Sequence, residues 1–496
     1  MIGAHEETDS SGDVLSTSAA GPSAVRGGAY RVGGYLIGTL LSVVSAALLF
    51  RHLGKIDAGR YVTATALVAI IGAVSDLGLT SVGVREVATR PPEERWQVAR
   101  DLLGLRIALT LVGGMVVTAL AGFGYSAVMA TGVALAAVGL LLQTTQDNLF
   151  LSLILELRLG LISAIELGRQ VLTTVFMVLL VLVGARLVPF LAISIPVGLL
   201  ALIPTVRIVR GHRSLSPTFN WGRWWKLLSV VLPYAASAAA SALYLRVSVV
   251  LVSVLSSQTQ LGYFSLPYRM IEVLTLIPGL LIASAFPIFA RAARDDHERL
   301  GYALGRVFEV ALLVGAWMAV SIAVGARLFV DVIGGAEFKP AAPVLAILGV
   351  ALGVMFVSMV WASGLLSLGL YRLILILNLG GLALNAALVA LLVTIDGSRG
   401  AALGTVIAEL AGALAQATAV MWGRPQLRPS LRVLPRATLA VAFGLTPLVM
   451  DGVPIIARLA ISTVLFASTL VVTRALPAEL QALIPNSSLW ARIVGR

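Results

Sequence analysis

Arg269 and Glu272 lie inside Leu261–Arg294 (LGYFSLPYRMIEVLTLIPGLLIASAFPIFARAAR), a run long and apolar enough to cross a bilayer as a helix. Three residues apart, they share one helical face and can neutralise each other. Arg246 lies in the preceding apolar run and has no acid near it in sequence. A charge near mid-membrane costs roughly 2.5–3.5 kcal/mol on insertion scales, so it faces protein or a water-filled cavity. Retaining these three charges implies a polar interior, the setting in which transport takes place.

Other charges fall inside apolar stretches. Glu166 and Arg169 in the fifth span have the same spacing and read as a structural pair. Asp76, in the inner part of the second span, and Arg106, near the inner end of the third, read as a salt bridge between neighbouring helices. Glu409 shares the twelfth span with Gln416; a helix–helix hydrogen bond is its preferred role and carriage of a coupling proton the alternative. Asp76, Arg106 and Glu409 are therefore candidate coupling or structural charges. Pro233 in the seventh span and Pro278 beside Gly279 in the eighth break helical hydrogen bonds and are the candidate hinges. The four histidines (His5, His52, His212, His297) lie in the N-terminal tail or in loops without ligand spacing, and there is no cysteine. Neither a metal site nor a cofactor is expected.

The elements that position these residues follow from composition. Of 496 residues 58% are hydrophobic and 12% charged, with a mean hydropathy of +0.97. A soluble domain carries about 25% charged residues, so the solvent for most of this chain is lipid. Backbone groups in lipid must be satisfied within the segment, and alternating strand patterns are absent, so the spans are helices. About fourteen are expected, at 30–50, 61–83, 100–122, 127–147, 163–183, 187–206, 227–254, 262–290, 303–325, 341–368, 371–394, 400–422, 437–450 and 454–474. Residues 1–25, rich in Ser, Gly and acids, read as a disordered tail.

Arginine and lysine set the orientation. The loops around 84–100, 207–226, 291–306 and 423–436 hold seventeen basic residues, and the opposite loops hold seven. That asymmetry puts both termini in the cytoplasm. Trp221, Trp224 and Trp225 beside Arg223 and Lys226 read as an interfacial anchor opening the seventh span. Loops are short, no GxxxxGK[ST] motif is present, and outer acids are scattered, so an ATPase cassette and a catalytic external domain are excluded. The net charge of +12 is split among short loops, which argues against a nucleic-acid partner.

A shift of 203 residues brings Gly59-Arg60-Tyr61 onto Gly262-Tyr263-Phe264, and spans one and two onto spans seven and eight in the same orientation. Two six-helix lobes related by an axis along the membrane normal are the expected architecture. Their bounds are 26–210 for the N-lobe and 211–425 for the C-lobe, with two further helices and a tail in 426–496.

Residues 53–90 (LGKIDAGRYVTATALVAIIGAVSDLGLTSVGVREVATR) resemble the second-helix signature of polysaccharide-export flippases. The run 262–294 resembles their eighth helix, FKPAAPVLAILGVAL (338–352) their tenth, and GSRGAALGTVIAELAGALAQA (397–417) the opening of their twelfth. The chain is thereby similar, from about 30 to 425, to the multidrug/oligosaccharidyl-lipid/polysaccharide transporter superfamily. The resemblance implies an all-α polytopic protein of the bacterial inner membrane whose central cavity opens alternately to each side. It implies a polyprenyl-diphosphate-linked glycan as substrate, and glycosyltransferases or a polymerase of the same pathway as partners. Arg246 and Arg269, with Glu272, then become the substrate-binding candidates, because guanidinium groups suit a diphosphate. The rivals are a cation-coupled drug exporter of the same superfamily, which the acid-free first span (Tyr30–Phe50) disfavours, and a non-transporting scaffold.

Overall fold

The computed structural model describes residues 20–76, 92–155, 158–210, 216–450 and 452–475. These residues form fourteen α-helices, which give ten helical stretches long and apolar enough to cross a membrane, with no β-strand among them. In chain order they are α1 (Ala20–Asp76), α2 (Pro92–Gly124), α3 (Ala127–Leu155), α4 (Leu159–Leu182), α5 (Leu187–Ala192), α6 (Ser194–Arg210) and α7 (Trp221–Leu255). Then come α8 (Gln258–Leu274), α9 (Leu276–Asp295), α10 (His297–Ile333), α11 (Ala342–Ser367), α12 (Tyr371–Met421), α13 (Val433–Leu445) and α14 (Ile455–Val472).

Two of these helices are too long for one crossing. The apolar part of α1 alone runs 40 residues, roughly 60 Å if straight, against about 30 Å of hydrocarbon. Its helical course breaks at Gly54, where φ is 67°; a side chain there would be strained, and glycine is not. The 51-residue α12 breaks in the same way at Asp396 and Gly397. Each therefore supplies two of the expected spans. Conversely, α5 with α6, and α8 with α9, each make one span, because Ile193 and Thr275 between them keep helical angles. On this basis each of the fourteen expected spans coincides with helix, the thirteenth with a short one of 13 residues, and the end of the second falls outside the described residues. Helix α1 begins at Ala20, within the stretch read as tail; residues 1–19 lie outside the described residues.

The chain forms two compact units. The first comprises the residues up to Leu49 and Leu67–Ala239; the second comprises Phe50–Ala66 and the chain from Ala240 onward. In the first, Leu102, Leu105, Leu151 and Trp224 form one buried cluster and Leu149, Phe150, Leu153, Ile162 and Val209 another. Trp224 is thus a core residue and not part of an interfacial anchor, while Trp221 and Trp225 remain exposed. The cause is local: Asp101 on α2 accepts from Arg223 at 2.8 Å and from Thr218 at 2.5 Å. Those bonds pin the start of α7 against α2 and turn Trp224 inward.

In the second unit, α10, α11 and α12 build the core, with Leu304, Leu345, Leu352, Phe356 and Val389 fully enclosed. The segment Phe50–Ala66 is seated on this unit. Phe50 meets Phe338 edge-on at 5.6 Å, Arg51 donates to the Val332 carbonyl at 2.7 Å, and Lys55 reaches Glu337 at 3.6 Å. Gly59 and Gly262, the two glycines superimposed by the 203-residue shift, pack against each other. A methyl on Gly59 would stand 3.1 Å from the Gly262 nitrogen, and one on Gly262 would collide with the Lys55 carbonyl. Small residues here let two backbones approach where larger ones would hold them apart.

Overpacking such a contact costs typically 1–3 kcal/mol. Gly262→Leu should therefore lower the melting temperature of the detergent-solubilised protein by several degrees. Gly380→Ala, where a methyl meets open space, should leave it unchanged; equal melting temperatures for the two variants would mean that the contact is loose.

Candidate functional site

Helix α8 carries Arg269 and Glu272 one turn apart, and α7 brings Arg246 to the same place. Arg246 Nη2 lies 2.8 Å from Glu272 Oε1, and Arg269 Nη1 lies 2.6 Å from Glu272 Oε2. Arg246 is thus not unpaired, as its sequence neighbourhood suggested; its acid is 26 residues away along the chain. Each carboxylate oxygen takes one guanidinium, so the cluster keeps one net positive charge. The side chains of Arg246 and Glu272 are each 25% exposed and that of Arg269 is 41% exposed. Each guanidinium has five N–H donors in a fixed fork, and the bonds to Glu272 use only part of that capacity. Tyr61, from the segment seated on this unit, and Tyr268 lie within the electrostatic reach of Arg269. Neither phenol was singled out from the sequence, because an aromatic residue in an apolar span carries no charge signal.

The Thr275 hydroxyl donates to the Glu272 carbonyl at 2.7 Å. Thr275 keeps helical angles (φ −62°, ψ −15°) and its N–H bonds the Ile271 carbonyl, so α8 runs on into α9 with one hydrogen bond missing, the one that Pro278 cannot donate. Proline lacks an N–H and its ring crowds the carbonyl four residues earlier, here that of Leu274. Its effect is thus felt N-terminal to its own position, next to the charged cluster. Pro233 sits on α7, with its side chain outside those described.

A second polar region lies within the same unit, where Ser241, Tyr244, Ser358, Asn378, Glu409 and Gln416 line a cavity of about 220 Å³. Glu409 is 6% exposed and accepts from the Tyr244 hydroxyl at 2.6 Å. Ser358 and Gln416 are joined at 3.1 Å, and Asn378 donates to Ser241 at 3.0 Å. Sequence reasoning anticipated a helix–helix hydrogen bond for Glu409 but could not identify its partner.

In the first unit, Arg106 Nη2 lies 2.7 Å from Asp76 Oδ1, with the Arg106 side chain 7% exposed. Glu166 and Arg169, despite their three-residue spacing, form no salt bridge with each other. Asp147 of α3 lies within the electrostatic reach of both, with Arg169 and Arg106 attracting its carboxylate and Glu166 and Asp76 repelling it. Asp147 was missed because it sits at the end of an apolar run, where an acid draws no attention. Among the described residues no group of His, Asp or Glu side chains could hold a metal ion.

A family described as polysaccharide biosynthesis protein matches residues 48–343 of the chain. No curated protein matches it. Among solved structures, the lipid II flippase MurJ in an inward closed conformation aligns with a TM-score of 0.74 at 13% identity, covering 94% of this chain and 99% of that one. An inward-facing multidrug resistance MATE family transporter of the MOP superfamily aligns at 0.57 and 16% identity, covering 80% of this chain and 97% of that one. A MOP superfamily transporter from Pyrococcus furiosus aligns at 0.51 and 16%, covering 80% and 95%. At these identities the likeness concerns the fold.

Removing one partner of a buried ion pair costs about 3–5 kcal/mol, because the other charge is left uncompensated. Arg106→Ala should accordingly lower the unfolding temperature of the solubilised protein clearly, and Arg106→Lys by less. An unchanged unfolding temperature in Arg106→Ala would show that the Asp76 pair carries no stability.

Proposed function

The chain belongs to the polysaccharide biosynthesis protein family, and from that membership we propose that it flips a lipid-linked oligosaccharide or related cell-envelope precursor across the membrane. The observation that carries this reading is the convergence of Arg246 and Arg269, from two helices, on one partly exposed carboxylate. Guanidinium groups bind phosphate through directional, charge-assisted hydrogen bonds, and a polyprenyl diphosphate presents oxygens of that kind. The fold shared with MOP superfamily transporters supports alternating access. In this reading the protein makes and breaks no bond, both termini face the cytoplasm, and glycosyltransferases or a polymerase of the same pathway supply and consume the cargo. The weakened turn at Pro278 and Gly279 is the flexing point of the eighth span.

A second reading is a cation-coupled exporter of the same superfamily. One observation favours it: Glu409, buried beside a polar cavity, has the setting of an ion-coupling carboxylate. Both readings are separated by reconstituting the protein in liposomes with a fluorescent lipid-linked sugar and following leaflet exchange. The flippase reading expects exchange, and its absence with any such lipid would overturn it.

In that assay Arg246→Ala and Arg269→Ala should each slow exchange by roughly tenfold or more, since a hydrogen bond to a charged group contributes about 1.5–3 kcal/mol. Both variants should still reach the membrane. Normal exchange in both single variants and in the double variant would remove these arginines from the site. Pro278→Ala should leave membrane levels intact while slowing exchange; an unchanged rate would argue against flexing there.

A further inference from the structure

We propose that Glu272 is a placeholder for the substrate anion: its carboxylate occupies the seat of a phosphate and yields it when the diphosphate of the lipid carrier arrives. This rests on the reading of Arg246 and Arg269 as the phosphate site, and it assigns Glu272 a role that the site reading alone does not contain.

Three observations carry it. The first is the stoichiometry. One arginine would neutralise Glu272, yet two bind it, so the cluster retains a positive charge in a low-dielectric region, where an uncompensated charge is costly. A second anion relieves that cost. The second is the geometry. The two guanidiniums reach separate carboxylate oxygens at 2.8 and 2.6 Å from different helices. Two oxygens on one central atom, each facing one cation, is also what a phosphate group offers. The third is exposure. Two ion pairs, Arg106–Asp76 and Arg223–Asp101, bury one partner deeply, with the Arg106 side chain 7% exposed and that of Asp101 4% exposed. In the Arg246–Glu272–Arg269 cluster no side chain falls below 25%. A competing anion can therefore reach all three side chains.

The position of Glu272 suits exchange. Its carbonyl accepts the Thr275 hydroxyl, two residues before the Leu274 carbonyl that Pro278 cannot serve. The displaced carboxylate moves by rotation of its own side chain. When the carrier leaves, the returning carboxylate competes for the same guanidinium groups and keeps the product from being trapped. The cost of this arrangement is affinity, because the substrate must displace an internal anion before it binds.

The test uses full-length protein in lipid nanodiscs with farnesyl diphosphate as the probe and farnesol as the uncharged control. Glu272→Gln keeps the shape and removes the charge. It should bind farnesyl diphosphate about tenfold more tightly than the unaltered protein, leave farnesol binding unchanged, and slow leaflet exchange of a fluorescent lipid-linked sugar. Glu272→Asp, which keeps the charge, should bind the probe as the unaltered protein does. Binding by Glu272→Gln that is equal or weaker, while Arg246→Ala weakens it, overturns the placeholder and spares the phosphate site. Probe binding that survives both Arg246→Ala and Arg269→Ala overturns both. An independent readout needs no variant: farnesyl diphosphate should increase labelling of Glu272 by dicyclohexylcarbodiimide in the unaltered protein. Unchanged or reduced labelling overturns the proposal.

Discussion

A charged side chain within a bilayer-spanning segment has to find an opposite charge, and that constraint organises the molecule. Water is absent to solvate a lone guanidinium or carboxylate, and the desolvation penalty is several kcal/mol per ion. In this chain the constraint is met in two ways. Arg106 with Asp76 is a buried pair that fixes α1 to α2, and at the start of the third span Asp101 is buried against a half-exposed Arg223. The Arg246–Glu272–Arg269 cluster is met only in part, with two cations on one anion and every side chain partly exposed. The same physics therefore yields a buried fastening in the first unit and a partly exposed cluster in the second.

Backbone features place that cluster. The fold-back at Gly54 lets Phe50–Ala66 seat on the second unit and bring Tyr61 towards Arg269. The close approach of Gly59 and Gly262 holds the start of α8 against that segment. Beyond Glu272 the helical course carries on through Thr275, with one hydrogen bond lost because Pro278 has no donor and crowds the carbonyl of Leu274. Arg269 and Glu272 thus lie between a close backbone contact and a weakened turn.

Much of this was legible in the sequence. Hydropathy is a local property, so all fourteen spans could be read, and the 203-residue shift picked out two glycines that touch in the structure. The Asp76–Arg106 bridge was legible because both residues lie at similar depth on consecutive spans. Other assignments went astray where partner choice is not local. Helical spacing suggested a Glu166–Arg169 bridge, which the structure does not form, while Asp147 of α3 stands within the electrostatic reach of both. Trp224 looked interfacial beside Arg223 and Lys226, yet the bonds from Asp101 turn it into the core.

The sequence by itself determined that this is a helical membrane protein with charged residues in its interior, because composition and the length of apolar runs depend only on the order of residues. It also determined that Arg269 and Glu272 can meet, since three residues on a helix is a fixed geometry. Only the tertiary structure decided that Arg246 meets them, that Glu409 meets Tyr244, and that Glu272 is shared between two cations. Those choices depend on which helices pack side by side and at what depth. Contacts between residues 26 or 165 positions apart are settled by packing, and no local pattern records it.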